Sequence, residues 1–140
     1  STSAGKKSAL LARGAQLREV NFDHPSELAR ACEGGSVVVS TVSGLEDVII
    51  GFQSKLLAAT VAAGVPRFIP SDFAVDYRMI PAGENRNLNL RERFREVVDR
   101  TTAVRATSVL NGAFTDMLTG VAPFILYPIR RIPVSYTHLT

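Results

Sequence analysis

Apolar and polar positions fall into blocks along the chain, and the blocks change period. Residues 36–42, Ser-Val-Val-Val-Ser-Thr-Val, are apolar on both faces, as a parallel strand covered by helices on each side requires. Ser43-Gly44 breaks the run. Val48, Ile49, Phe52, Leu56, Ala59, Thr60 and Ala63 then recur at spacings of three and four, which predicts a long helix from Glu46. Gly64 closes that helix. Arg67-Phe68-Ile69-Pro70 follows as a short strand and spills into a polar loop at Ser71-Asp72-Phe73. A helix feeding a short apolar strand through one glycine is the αβ half of a βαβ unit.

The flanks extend this pattern. Residues 8–14 read as the tail of a helix with Gly14 at its C-terminal cap. Residues 16–22 alternate polar and apolar, which predicts a strand near a sheet edge. Asp23 is placed to cap a helix whose first turn tolerates Pro25. Leu28, Ala31 and Cys32 form that helix's buried face, and Gly34-Gly35 ends it. Residues 77–89 are rich in Pro, Gly and Asn and carry no period, so they read as a long loop. Leu90, Phe94, Val97, Val98 and Thr101 mark a helix from Leu88, and residues 104–110 a further strand. Strands and helices thus alternate with short connections. This predicts an α/β fold, a doubly wound parallel sheet, with residues 37–42, 67–70 and 104–110 adjacent and parallel. In such a sheet ligands bind beyond the carboxyl ends of the strands, here Pro70, Ser71, Asp72 and Phe73.

Toward the end the signal weakens. Pro123, Pro128 and Pro133 interrupt an apolar stretch at 124–132 that reads as part of a covering layer. Residues 134–140 fit no element and resemble translated vector or adaptor sequence, so one domain over 1–133 followed by a non-native tail is expected. His138 falls in that tail and carries no functional weight.

Composition narrows the classes. The 140 residues are 46% hydrophobic and 21% charged, enough for one packed core. Lys and Arg number 16 against 13 Asp and Glu, a net charge of +3, and the basic residues are scattered among acids at 91–100. A phosphate-tracking surface would cluster them, so no nucleic-acid partner is expected. No apolar run reaches the length of a membrane span and no signal peptide opens the sequence, so a cytoplasmic, reducing setting is expected. Cys32 is the sole cysteine, which excludes an internal disulfide and a cysteine metal cage; it reads as a small buried hydrophobe. His24 reads as a first-turn surface residue, and no metal site is expected.

Three stretches together resemble a known family. They are Ser-Val-Val-Val-Ser-Thr-Val at 36–42, Ala-Ala-Gly-Val-Pro-Arg-Phe-Ile-Pro-Ser-Asp-Phe at 62–73 and Leu-Asn-Gly-Ala-Phe-Thr-Asp at 110–116. The chain resembles the NmrA-like family, atypical short-chain dehydrogenases that include the isoflavone and phenylcoumaran benzylic ether reductases. The likeness spans roughly residues 10–132, and the 67–73 block is its most specific part. It implies a Rossmann-like NAD(P)-binding fold, NADP or NAD as cofactor with NADP favoured, and hydride transfer to a small organic substrate. The family opens with a strand and a Gly-x-x-Gly-x-x-Gly turn that holds the cofactor pyrophosphate. These 140 residues contain no such motif. The sequence is therefore expected to represent the middle of a protein, inactive by itself, with the first strand and phosphate loop outside it.

The resemblance also implies roles for particular residues. Asn21 and Phe22 fall where the family approaches adenine, although Asn21 also suits the start of a turn. Ser40, Thr41 and Val42 fall beside the adenosine ribose and pyrophosphate, or else cap a strand end. Pro70, Ser71, Asp72 and Phe73 correspond to the nicotinamide-side loop, or Ser71-Asp72 to an Asx-type turn. Arg91 occupies the position at which the plant reductases place a Lys as general acid/base. An Arg does not shuttle protons near neutral pH; it holds charge. Arg91 and Arg95 lie four apart, a spacing suited to a phosphate or carboxylate, or to a solvated helix face shared with Glu92 and Glu96. Gln53 reads as solvated or packed near the sheet rim. The rival to a reductase is an NAD(P)-binding redox sensor without turnover, or a truncated product with no activity.

Overall fold

The computed structural model describes residues 2–112, in the order α1 (Thr2–Ala12), α2 (Pro25–Cys32), β1 (Val38–Val39), a π-helical turn (Asp47–Phe52) running into α3 (Gln53–Ala62), β2 (Arg67–Ile69), a 3₁₀ turn (Tyr77–Met79), α4 (Arg86–Asp99) and β3 (Arg105–Ala106). The expectations for residues 113–116, 124–132 and 134–140 lie outside the described residues.

The sheet has the order β1-β2-β3, with both pairings parallel. Val38 lies opposite Phe68 and Val39 opposite Ile69; Arg67 lies opposite Arg105 and Phe68 opposite Ala106. Adjacency and direction therefore agree with the sequence expectation, and the fold is a Rossmann-like α/β arrangement. The strands are shorter than expected. Residues 36–42 contribute two ladder residues and 104–110 another two, although the Ser40 and Thr107 amides still donate to the Ile69 and Phe68 carbonyls.

The core lies on one face of this sheet. Phe68 packs with Leu57, Phe94, Val98 and Val104, and Val38, Ile50, Leu56 and Val97 close around them. Phe68 and Phe94 meet with ring centroids 6.4 Å apart at a tilt of 57°, within the range where aromatic pairs attract. On the opposite face Val37 and Val39 stay 41% and 46% exposed, so the expected burial on both faces holds for one side among the described residues.

Local chemistry explains most boundaries. α3 ends in a Schellman motif: the Gly64 amide donates to the Val61 carbonyl and the Val65 amide to the Thr60 carbonyl, with Gly64 at φ +67°. Val65 is buried just beyond it, as that motif favours. α4 starts two residues earlier than expected because the Asn85 side chain accepts from the amides of Asn87 and Leu88. α2 is bounded by His24 rather than Asp23, and the Asp23 carboxylate meets Lys55 at 2.6 Å instead. Residues 16–22 form no strand, since no ladder partner lies beside them among the described residues.

Candidate functional site

Gly44 allows the chain to turn sharply out of β1. A Cβ there would lie 2.6 Å from Val48 Cγ2, closer than real side chains approach. The π-helical turn that follows adds one residue to the helical repeat, a feature frequent at functional positions. The buried stripe along it and α3 is Ile49, Gln53, Leu57 and Thr60. Of the two expectations for Gln53, solvated or packed near the sheet rim, full burial rules out the first. Its Nε2 donates to the Ile49 carbonyl at 2.8 Å, and its Oε1 accepts the Ser71 amide at 2.8 Å. Both ends of a buried amide are satisfied, as burial demands.

Ser71 extends the connection. Its Oγ donates to the Val42 carbonyl at 2.6 Å, so the ends of β1 and β2 are held to each other through one hydroxyl. Asp72 turns inward, almost wholly buried. Its Oδ2 accepts from the Ser108 hydroxyl at 2.7 Å and from the Tyr77 hydroxyl at 3.2 Å. The first two loop residues are thus structural groups in the described region. Burial and the neighbouring Asp72 push the Tyr77 phenol upward from its ordinary value.

Two clefts open along these strand ends. One, of about 780 Å³, is lined by Phe22, Val42, Ser43, Val48, Phe52, Lys55 and two carboxylates, Asp23 and Asp47. Phe22 and Phe52 meet edge to face in its wall, centroids 4.6 Å apart at 87°. Lys55 holds the Asp23 carboxyl below its usual range by hydrogen bond and charge. The other, of about 470 Å³, is lined by Thr41, Val42, Ser43, Ser71, Phe73 and Arg91. The clefts share Val42 and Ser43, so they form one continuous surface beyond the carboxyl ends of the parallel strands.

The sequence candidates divide on this geometry. Phe22, Thr41, Val42, Ser71, Phe73 and Arg91 come together along the two clefts. Asn21 forms an Asx turn, its Oδ1 accepting the Asp23 amide at 2.9 Å, the turn that the sequence had left open. Ser40 is buried in the sheet, its amide donating to the Ile69 carbonyl. Pro70 and Arg95 line a separate groove with Arg78 and Ser108, and Arg95 pairs with Asp99 at 3.4 Å. Arg91 and Arg95 therefore face different hollows. Sequence reasoning missed Phe52, Lys55, Ser43, Tyr77 and the true place of Gln53. A glutamine four residues from both Ile49 and Leu57 was the available signal.

A parallel sheet with a continuous cleft at its carboxyl ends defines the class of open α/β nucleotide-binding domains. The NmrA-like family model matches residues 2–126, and the chain belongs to that family. It is similar to the bifunctional pinoresinol-lariciresinol reductase of Linum usitatissimum, 43% identical over 65 residues, which cover 46% of this chain and 21% of the relative. The enzyme of the same name from Linum perenne is 43% identical over 67 residues, covering 46% of this chain and 21% of the relative. Among solved structures, AtPrR2 with NADP+ and (+)pinoresinol aligns at a TM-score of 0.65 and 30% identity over 79% of this chain and 37% of that one. The chain thus spans about a fifth of the curated relatives it matches. No helix among the described residues is long and apolar enough to cross a membrane, and no group of three or more potential metal ligands occurs among them.

Proposed function

We propose that this chain is part of an NAD(P)-dependent oxidoreductase that transfers a hydride between the cofactor and a small organic substrate, with NADP favoured over NAD. The continuous cleft along the ends of β1 and β2 carries the reading. Its chemistry fits the two ends of a dinucleotide. Phe22, Phe52 and Val42 offer apolar surface to a flat base, and Thr41, Ser43, Ser71 and Phe73 offer hydroxyls and a ring on the other side. The described residues contain no glycine-rich turn for a pyrophosphate, so binding by these residues alone is expected to be weaker than micromolar. The bound cofactor would supply the hydride; the residues here bind, orient and exclude water. Arg91 offers a planar fork of N–H donors on that side of the cleft.

The test is NADPH oxidation by the whole protein carrying this chain, against quinones, enones and phenylpropanoid-like ethers. Turnover with one of these classes is expected. Arg91→Lys is expected to leave NADPH affinity intact and to alter the pH profile, since a desolvated Lys can titrate near neutrality. Tight NADPH binding without turnover by either form would instead favour a redox sensor, the reading that an arginine at position 91 supports.

A further inference from the structure

We propose that Arg91 anchors a carboxylate, and that the cleft beside it takes a small monoanionic acid with an apolar or aromatic body. This rests on the reading of the chain as part of a reductase and deepens it by naming the substrate class that would lie beside the dinucleotide in this cleft. Of the four arginines of α4, two are paired with carboxylates and Arg86 stands exposed at its first turn. Arg93 reaches Glu46 at 2.7 Å, Arg95 reaches Asp99 at 3.4 Å, and Arg100 just past the helix reaches Glu96 at 3.3 Å. Arg91 has no carboxylate partner among the described residues. Its Nη1 donates to the Asn87 carbonyl at 2.9 Å, which fixes the guanidinium against its own helix, and its Nε is buried without a partner.

A guanidinium offers five N–H donors in a rigid fork, and among the described residues Arg91 makes one bond to a protein group. Among the described residues the cleft that Arg91 lines contains no acidic residue to balance it; its described walls are Val42, Phe73, Thr41, Ser43 and Ser71. Asp72, between the cleft residues Ser71 and Phe73 in sequence, commits its Oδ2 to Tyr77 and Ser108 and is not among the residues that line the cleft. The Ser71 hydroxyl donates to the Val42 carbonyl, which leaves Thr41 and Ser43 as the uncommitted hydroxyls. One half-buried cation over apolar walls matches one negative charge on a planar, two-oxygen group. A phosphate dianion would find half of its charge unbalanced. About 470 Å³ accommodates a single ring with a short side chain.

The experiment uses the 140-residue chain labelled with 15N, reading the arginine Nε–H resonances during titration with benzoate and 3-phenylpropanoate. The matching amides, inorganic phosphate and NADP+ form the comparison arms. The acids are expected to move the Arg91 Nε–H signal saturably, and the amides to leave it in place. Arg91→Gln is expected to weaken acid binding roughly ten- to a hundredfold. Arg91→Lys, which keeps the charge and so guards against a folding defect, should recover part of that loss. Arg93→Gln, on the exposed side of the same helix, should change nothing. Equal response to acid and amide, no response to either, or binding indifferent to Arg91→Gln would overturn the proposal. A signal moved by phosphate or NADP+ but not by the acids would assign the cation to the dinucleotide and overturn it equally. Because the readout is ligand binding, absence of NADPH turnover leaves this result standing, and the two readings fail separately.

Discussion

The first 22 residues and the segment from the π-helical turn to Asp72 use similar amino acids and end in different physical states. In the second segment the apolar stripe meets α4 and the sheet, and even its glutamine is buried and doubly bonded. In the first, Leu10 and Leu11 are 47% and 55% exposed, and the alternating residues 16–22 pair with no strand among the described residues. What ties that region down is surface chemistry, Lys7 with Glu19 and Arg18 donating to the Arg30 carbonyl, and at its end the edge-to-face contact of Phe22 with Phe52. Hydrophobic period states which face an element would bury. A facing layer decides whether it does.

The largest effect in this comparison belongs to the core. Phe68→Ala is expected to destabilise the fold by about 3–5 kcal/mol, because the emptied space lies between the sheet and α4 and collapses poorly. Denaturant titration would show it; a loss below about 1 kcal/mol would mean that the segment is no better packed than the first 22 residues.

Gln53 comes next. Gln53→Leu keeps the volume but strands the Ser71 amide and the Ile49 carbonyl, at an expected cost of about 1–3 kcal/mol. Gln53→Glu sharpens the point. A protonated Glu can still donate to Ile49 and accept from Ser71; an ionised one sets an oxygen against the Ile49 carbonyl while buried. Its folded pKa should therefore rise above the ordinary Glu value. Stability is then retained below the unfolded pKa and lost as pH rises through the folded one, roughly 2–4 kcal/mol in all. Equal stability of this variant at pH 4 and pH 8 would remove the clamp from the account.

Tyr77→Phe is expected to cost about 1 kcal/mol by removing the hydroxyl that bonds Asp72. The raised Tyr77 pKa adds a pH signature. The wild-type contribution is whole below the ordinary tyrosine value of 10.0 and is lost as pH rises through the higher folded value. The difference in stability between wild type and Tyr77→Phe should therefore shrink above that pH, which alkaline denaturant curves would reveal. At the small end, Leu10→Ala and Leu11→Ala are expected to fall within about 0.5 kcal/mol of wild type, since exposed side chains give up little burial.

The elements that the sequence made legible were those whose period and punctuation agreed. The parallel alternation, the Schellman end at Gly64 and the strand at Arg67–Ile69 all follow from residues read in order. The loop at Ser71 and the cleft residues Phe22, Thr41, Val42, Phe73 and Arg91 were placed through the strand-end rule and the family resemblance. The burial of Gln53 was hidden by its polarity, since an amide suggests a wet position even four residues from both Ile49 and Leu57. Tyr77 and Ser108 escaped notice because they meet Asp72 from sequence distances of five and 36 residues. Arg91 and Arg95 sit four apart on α4 yet line different hollows, a separation that helical spacing by itself does not reveal.

The central claim is that the surface shared through Val42 and Ser43 receives the ends of a dinucleotide. Backbone amide shifts of the 140-residue chain at about 1 mM NADP+, a concentration suited to weak binding, test it most directly. The account predicts that the largest changes fall on Phe22, Val42, Ser43, Phe52, Ser71 and Phe73, with the amides of α1 unmoved. Changes confined to α1, to the groove of Arg78 and Arg95, or absent throughout would contradict it.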